Sequence, residues 1–350
     1  MRTGLYFDFS NRGEQHAPAV LNQILEQVEL ADYLGYDSCL FADAPFAPNG
    51  LSASAAELIG ALAASTHGIR LGTANRRLGS YHPARAVENY AVLDQLSNGR
   101  VICGVSAVSD AKTFGAFGVD VSEAESRFVE ALAFMRRAWS HDAFAFKGAH
   151  TCFPRVAGEM QAEFEVEPYQ DPYLLPWQRA GLPTTHLAIT PRPLQLPYPP
   201  IWWHLESNAG VAQAAAQGLS VLPGVDMTHD EVADCYQAYV VALNNAGRAA
   251  EEVERPVIRD VFVAASKREA LELVGAAYGE AHGGMSEGDL LTEHLIVGDP
   301  DEVFAQIKQL QQRASFNHII CRTNVPGVSH LDVITSMKLF AGEVITRLRS

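Results

Sequence analysis

A short polar turn between two apolar stretches holds the residue types in this chain that are best suited to chemistry. Glu206, Ser207 and Asn208 stand between a predicted buried strand, Ile201 to Leu205, and a predicted helix, Ala209 to Gln217. Serine and asparagine favour helix N-caps, and the unpaired N–H groups at a helix N-terminus attract anions. The turn therefore predicts either an anion site, such as one for a phosphate, or an ordinary capped loop, and this segment alone favours the loop.

His204 is the candidate for acid–base chemistry in the same segment. Alternation along a strand places Trp202, His204 and Glu206 on one face. A histidine titrates near neutral pH and can exchange a proton with a bound ligand. The alternative interpretation is a hydrogen-bonded core histidine without a chemical role.

Three further residues near the third predicted strand carry ionisable or polar side chains. Arg76 and Arg77 follow this strand, where one of them could contact a substrate carboxylate or phenolate. Solvated loop charges are the alternative. His82 directly precedes Pro83, and this order predicts that His82 sets the start of a helix rather than acting in chemistry.

The elements that must position these residues alternate along the chain between short apolar runs and helical patterns. The predicted strands are Gly4 to Phe9, Ser38 to Ala42, Ile69 to Ala74, Val101 to Val105, Ile201 to Leu205, Leu219 to Leu222, Val257 to Ala264 and His318 to Cys321. The predicted helices are Ala17 to Leu34, Ser54 to Thr66, Pro83 to Leu96, Ser122 to Trp139, Ala209 to Gln217, Thr228 to Asn245, Lys267 to Tyr278, Asp299 to Ser315 and Leu331 to Leu348. Eight strands with outer helices predict an α/β fold, a (β/α)8 TIM barrel that forms one domain over residues 1–350.

Two segments interrupt the strand–helix alternation and are predicted insertions on the C-terminal side of the strands. The first, at about 141–200, begins with a predicted hairpin, AFAFKGAHTCF, and continues through a stretch rich in proline and aromatic residues. The second, at about 279–295, is rich in Gly, Glu and Asp, which suits a lid over an active site. A surface insertion without function is the alternative for both segments.

Composition excludes several classes of protein. The formal net charge of −15 disfavours nucleic acid as a partner. No signal peptide or membrane-spanning segment is evident, so we expect a cytoplasmic protein without a membrane partner. The 5 cysteines are scattered without metal-ligand spacing, so we expect neither a disulfide framework nor a metal site.

Five segments, in order along the chain, resemble the bacterial luciferase-like, flavin-dependent monooxygenase family. They are LGTANRRLGSYHPARAVENYAVLDQLSNGR leading into VICGVSA, then TPRPLQLPYPPIWWHLES, VGDPDEVFAQI and ITSMKLFAGEV. The resemblance implies a barrel that binds FMN at the C-terminal ends of its strands, as a homodimer supplied with reduced FMN by a separate flavin reductase. It also implies that reduced FMN and molecular oxygen together oxygenate a small organic substrate. The aromatic residues of the first insertion suggest that this substrate is largely apolar.

The resemblance also implies roles for individual residues. Ser207 matches the family's phosphate-binding serine, and Glu206 and Asn208 flank it near the cofactor. Arg127 matches an arginine that pairs with the phosphate. Ala74-Asn75 matches the place where the family often has a non-proline cis peptide under the flavin ring, so we expect a cis bond there.

The chain departs from the luciferases at two positions. Ala44 stands where luciferases carry a catalytic histidine, which disfavours light emission from an aldehyde and leaves His204 as the catalytic candidate. Ser106 stands where luciferases have a reactive cysteine; it is either a second catalytic candidate, as a hydrogen-bond partner of the flavin ring or its peroxide, or a strand-end serine satisfied by backbone. Two alternative functions remain open: a deazaflavin-dependent oxidoreductase on the same barrel, or a non-catalytic flavin-binding protein.

Overall fold

The computed structural model describes residues 1–9, 16–46, 54–107, 110–154, 186–281, 293–325 and 328–350. The chain divides into two compact units. The first consists of Met1–Arg76, Arg100–Val108 and Pro200–Ser350, and the second of Arg77–Gly99 and Ser109–Pro199.

The strands of the described chain form one large sheet and one hairpin. In chain order they are β1 (Arg2–Phe7), β2 (Ser38–Phe41), β3 (Arg70–Arg77), β4 (Val101–Ser106), β5 (Phe146–Lys147), β6 (Cys152–Phe153), β7 (Ile201–Leu205), β8 (Ser220–Pro223), β9 (Pro256–Val263), β10 (Leu295–Gly298) and β11 (His318–Arg322). The sheet has nine strands in the order β10-β9-β11-β1-β2-β3-β4-β7-β8, and its neighbours pair in parallel wherever their register is described. All eight predicted strands are confirmed.

Eight of these strands enclose one apolar core in the first unit. Each of β1, β2, β3, β4, β7, β8, β9 and β11 contributes a buried residue to a single cluster: Tyr6, Leu40, Ala74, Ile102, Trp202, Leu222, Ile258 and Ile320. At the junction of β8 and β9, the Tyr236 hydroxyl lies 3.2 Å from the Val221 carbonyl oxygen and also contacts the Pro256 carbonyl. The predicted (β/α)8 barrel is therefore confirmed.

The ninth strand was not expected from the sequence. β10 pairs only with the C-terminal half of β9, from Asp260 to Val263, and belongs to a separate apolar cluster. It is four residues long and directly precedes the helix cap at Asp299. A run this short, next to the predicted lid at 279–295, lacks enough alternation to be recognised as a strand.

The helices agree with their predicted limits to within about one turn. They are α1 (Ala17–Leu34), α2 (Ala55–Ser65), α3 (Pro83–Leu96), α4 (Ala111–Ala116), α5 (Ala124–Ser140), α6 (Val211–Gln217), α7 (His229–Asn245), α8 (Lys267–Ala281), α9 (Pro300–Ala314), α10 (His330–Leu339) and, after a π-helical turn at Phe340–Ile345, α11 (Thr346–Arg349). Of these, α4 was not predicted. None of the helices in the described ranges combines the length and apolar character needed to cross a bilayer.

The second unit contains α3, α4, α5 and the β5–β6 hairpin. The two strands pair antiparallel, which confirms the hairpin predicted in AFAFKGAHTCF. The ring of Phe134 on α5 packs edge-on against Phe144, Phe146 and Phe153, with centroids 5.1 to 5.3 Å apart. Residues 155–185 of the first predicted insertion and residues 282–292 of the predicted lid lie outside the described residues.

Candidate functional site

A cavity of about 380 Å³ lies at the C-terminal ends of the barrel strands in the first unit. Nine residues line it: Tyr6, Asn75, His204, Glu206, Gly224, Val225, Asp226, Met227 and Glu231. Since the strands are parallel, the residues near or just beyond the ends of β1, β3, β7 and β8 meet at one end of the barrel. Three residues selected from the sequence, Asn75, His204 and Glu206, are thereby brought together.

The predicted alternation along β7 is what places His204 and Glu206 here. Trp202 lies in the barrel core, His204 follows at the cavity wall with 8% of its surface exposed, and Glu206 stands just beyond the strand. Gly224 lies against the imidazole, because a Cβ atom at this position would be 3.6 Å from His204 Nε2. The loop after β8 can therefore pack closely on the histidine.

Ser106 is the neighbour of His204 on the adjacent strand. The two residues are paired in the parallel register of β4 and β7, and Ser106 is buried. Alternation from Ile102, which lies in the barrel core, puts Ser106 on the inner face of β4. It does not belong to the residues that line the cavity.

The expectation of a cis peptide between Ala74 and Asn75 is wrong. The cis bonds within the described residues are Phe153-Pro154, Thr190-Pro191 and Leu196-Pro197, each preceding a proline. β3 continues in extended conformation through Ala74 and Asn75 to Arg77, and a trans bond is the low-energy form there. The Asn75 side-chain oxygen accepts the Asp43 N–H at 2.8 Å, so Asn75 lies at the cavity in a fixed orientation.

The two arginines at the end of β3 both have carboxylate partners. Arg76 Nε donates to Asp43 Oδ2 at 2.9 Å, and both side chains are 1% exposed. Arg77 Nη1 lies 3.2 Å from Asp110 Oδ2 within the second unit. Neither arginine is therefore a solvated loop charge. Arg76 is not among the described residues that line the cavity, and its charge is matched by Asp43 in the protein interior.

A partly buried charge network acts electrostatically on Tyr6 of the cavity lining and was not predicted from the sequence. Arg322 Nη2 lies 2.8 Å from Asp260 Oδ2, and its Nη1 lies 3.0 Å from Asp8 Oδ2. Burial opposes the Arg322 charge, but Asp260 and Asp8 outweigh it and raise the pKa of the guanidinium. Burial, and after it the charge of Asp8, raises the pKa of the Tyr6 phenol well above its usual value. Tyr6 therefore stays protonated at neutral pH.

The positions of its members at strand ends, though not their pairing, could have been found by the argument that identified His204. Tyr6 and Asp8 lie two residues apart at the end of β1, and Arg322 ends the last strand of the barrel. Polar residues at the carboxyl ends of barrel strands are candidates for function.

The turn after β7 differs from the expected helix start. The helix α6 begins at Val211 instead of Ala209, because Gly210 has a φ of 88°, in the left-handed region. Ser207 Oγ accepts the Ala209 N–H at 3.3 Å, and the Asn208 carbonyl accepts the Val211 N–H at 3.3 Å. Ser207 and Asn208 are exposed, and the serine hydroxyl keeps its own proton available to a ligand.

Arg127 lines a different cavity, of about 180 Å³, within the second unit. The lining consists of residues 78–83 together with Val119, Arg127, Ala131, His150 and Thr151. Arg127 Nε donates to Glu123 Oε2 at 2.8 Å, and its side chain is 31% exposed. His82 Nδ1 accepts the Ala84 N–H at 3.3 Å, which confirms its predicted part in starting α3.

Sequence comparison links the chain to a known family. The family profile described as luciferase-like monooxygenase matches residues 1–316. An uncharacterised protein, y4vJ of Sinorhizobium fredii, is 28% identical over 216 residues, which cover 62% of this chain and 52% of that protein. The chain thus spans about half the length of the first curated relatives that it matches, at 52% and 55%.

Solved structures with the same fold cover nearly the whole chain. Monooxygenase RslO1 from Streptomyces bottropensis has a TM-score of 0.82 at 22% identity, with 99% of both chains covered. The oxygenating constituent of 3,6-diketocamphane monooxygenase from Pseudomonas putida, a complex with FMN, has a TM-score of 0.78 at 18% identity, with 99% and 98% covered. A coenzyme F420 dependent tetrahydromethanopterin reductase from Methanopyrus kandleri has a TM-score of 0.71 at 16% identity, with 99% of both chains covered. These structures support the fold, and the profile match over residues 1–316 establishes that the chain belongs to the luciferase-like monooxygenase family.

Proposed function

We propose that this protein is a flavin-dependent monooxygenase that uses reduced FMN and molecular oxygen to oxygenate a small organic substrate. The observation that carries the proposal is the barrel cavity, where Asn75, His204 and Glu206 meet at the carboxyl ends of the strands. Active sites of this type of barrel are built at that end. A separate reductase as the source of reduced FMN and a homodimeric state remain predictions from the resemblance.

The donor groups in the second unit fit a phosphate. Arg127 and His150 line its cavity with the hydroxyl-bearing Ser80 and Thr151, while Glu123, which pairs with Arg127, is not among the described lining residues. Arginine and hydroxyl donors are the usual partners of a phosphate, whereas a carboxylate would repel it. We therefore propose Arg127 as a phosphate contact.

The groups that line the barrel cavity fit the polar atoms of a ring system. Asn75 and His204 offer neutral donors and acceptors at the cavity wall, and Ala74 lies in the core beneath. The exposed Ser207 hydroxyl can donate to an oxygen of the cofactor while its own oxygen accepts the Ala209 N–H. Glu206 and Asn208, on either side of Ser207, are proposed to order this turn near the cofactor.

Reduced FMN, when bound, would supply the reaction with oxygen, and the protein's share is to position groups and handle protons. His204 Nε2, at the cavity wall beside Gly224, is the proposed site of proton exchange with the reacting molecules. Ser106, paired with His204 in register, is a proposed hydrogen-bond partner on the same inner face. Trp202 and the core residues around it close the barrel below the cavity and exclude water from it.

A deazaflavin-dependent oxidoreductase is the second candidate, because the same fold occurs in the F420-dependent reductase described above. The two candidates differ in cofactor and in their use of oxygen. Anaerobic titration of the protein with reduced FMN, reduced FAD and reduced deazaflavin separates them. We expect reduced FMN to bind tightest; tight binding of the deazaflavin with weak binding of reduced FMN would contradict our proposal.

A further inference from the structure

The amide group of Asn75 has one fixed direction at the barrel cavity. Asn75 Oδ1 accepts the Asp43 N–H at 2.8 Å, and Asn75 belongs to the lining of the cavity. A backbone N–H group can only donate, so the amide oxygen, and not the NH₂ group, must face it. The NH₂ group is the other branch of the amide and therefore points away from the Asp43 N–H.

The partner in this hydrogen bond is itself held in place. Arg76 Nε donates to Asp43 Oδ2 at 2.9 Å, and both side chains are 1% exposed. A buried ion pair of this kind is costly to break, because either charge alone would lack a counter-charge in the interior. The Asp43 N–H is thus anchored, and a flipped Asn75 amide would set two donors against each other.

The NH₂ group of Asn75 is the part of the side chain that remains for a ligand. Asn75 Nδ2 forms no hydrogen bond with a described residue, and it is not sealed from solvent. Its two N–H bonds are donors, and the group has no acceptor capacity. A ligand that fills the cavity must therefore present an acceptor here, because these donors would otherwise lose water without compensation.

The ring system of the proposed cofactor carries suitable acceptors. Two carbonyl oxygens stand on the pyrimidine half of the FMN ring, and a deazaflavin carries the same two. We propose that Asn75 Nδ2 donates a hydrogen bond to one carbonyl oxygen of the bound ring and thereby orients the ring in the barrel cavity. This inference rests on the proposed function only in taking the ligand to be a flavin-type ring.

The variant Asn75→Asp tests the inference, because it changes the ligand-facing half of the side chain alone. One carboxylate oxygen can still accept the Asp43 N–H, while the other replaces the NH₂ donors with an acceptor. Binding of oxidised FMN and of riboflavin is measured by fluorescence titration at about pH 8, where the new carboxylate is ionised. We expect Asn75→Asp to weaken both about tenfold or more, since a ring carbonyl would then face an oxygen. Unchanged affinity would overturn the proposal.

Riboflavin and a matched variant separate the lost donor from the added charge. Riboflavin has the same ring and no phosphate, so repulsion between the new carboxylate and the phosphate would affect FMN alone. Asn244→Asp makes the same change of charge at an exposed position on α7, outside the described lining of the cavity, and should alter neither affinity more than about twofold. A loss confined to FMN, or an equal loss in Asn244→Asp, would contradict the proposal.

Infrared spectroscopy reports directly on the carbonyl groups of the ring. FMN isotopically labelled at its carbonyl carbons is bound to the wild-type protein and to Asn75→Asp. The carbonyl stretch of the bound ring should move to higher frequency in the variant, because a donated hydrogen bond weakens the C=O bond. An unchanged carbonyl band, even at lower affinity, would overturn the assignment of Asn75 as the donor.

The failure of this inference and the failure of the proposed function give different results. If the protein binds a deazaflavin and not FMN, the monooxygenase is wrong, and the Asn75→Asp effect should appear with the deazaflavin. If reduced FMN binds and reacts with oxygen but Asn75→Asp changes neither affinity nor carbonyl band, the Asn75 contact is wrong and the monooxygenase stands.

Discussion

The cavity in the barrel unit is lined by three carboxylates, whereas the cavity in the second unit is lined by Arg127 and two histidines. The first is built from the ends of parallel strands and is supported by buried groups such as Tyr6. The second is built from a helix face and the segment that follows β3. The described lining residues of the two cavities therefore carry charges of opposite sign, in a chain with a net charge of −15.

The largest effect is expected at the acid–base candidate of the barrel cavity. His204→Gln should lower the rate of substrate oxygenation about 10²- to 10⁴-fold, because a positioned proton donor is lost. FMN affinity should fall by at most about 1 kcal/mol, because glutamine keeps a donor and an acceptor at the cavity wall. The rate in the control variant His67→Gln, whose imidazole is 90% exposed, should stay unchanged. If His204→Gln instead mainly lowers the unfolding temperature, His204 is the core histidine of the alternative interpretation.

The partly buried charge network of Arg322, Asp260 and Asp8 should contribute strongly to stability. Arg322→Met leaves Asp260 and Asp8 without their counter-charge, so the free energy of unfolding should fall by about 3–5 kcal/mol. Arg349 pairs with Asp37 at 2.9 Å, but its side chain is 43% exposed. Arg349→Met should therefore cost at most about 1 kcal/mol. Equal losses in the two variants, measured by urea unfolding, would show that the network stabilises the fold no more than an exposed ion pair does.

The cavity of the second unit is expected to discriminate by charge. Arg127→Ala should weaken FMN binding by about 1–3 kcal/mol, because a charged hydrogen bond to the phosphate is lost. Riboflavin, which lacks the phosphate, should bind both proteins equally in fluorescence titrations. Arg85→Ala is the matched control, since this arginine of the same unit pairs with Glu88 and is 71% exposed. A parallel loss of riboflavin affinity would refute the assignment of Arg127.

The smallest effect is expected at the turn after β7. Ser207→Ala should weaken FMN binding by about 1 kcal/mol, because it removes one neutral hydroxyl donor and leaves the exposed turn intact. Asp226→Asn, in the barrel cavity, should not weaken FMN binding, because it removes no hydrogen-bond donor to the phosphate. If Asp226→Asn lowers the affinity for FMN more than Ser207→Ala does, the proposed separation of charges between the two cavities is wrong.

Much of the barrel could be predicted because its strands are short apolar runs between well-capped helices. Gly35 and Gly218 end α1 and α6 in the left-handed region, as their positions after the apolar periodicity indicate. Alternation along β7 correctly predicted that His204 and Glu206 face the same cavity. The same rule applied to β1 would have identified Tyr6.

The remaining features depend on tertiary context. The trans form of the Ala74–Asn75 bond and the two-residue delay of α6 are local backbone choices that the family resemblance did not determine. The partners of Arg76 and Arg322 come from distant parts of the chain, 33 and 62 residues or more away. Ion pairs this distant in sequence cannot be derived from periodicity, which reports only which face a residue occupies.

The reaction of the FMN-loaded protein with oxygen tests the central claim most directly. The protein is loaded anaerobically with reduced FMN and mixed with oxygenated buffer in a stopped-flow instrument, and the flavin absorbance is followed. We predict that the bound flavin is reoxidised in an oxygen-dependent process that differs kinetically from that of free FMN. Reoxidation identical to that of free FMN, or no binding of reduced FMN, would contradict the assignment of this chain as a flavin-dependent monooxygenase.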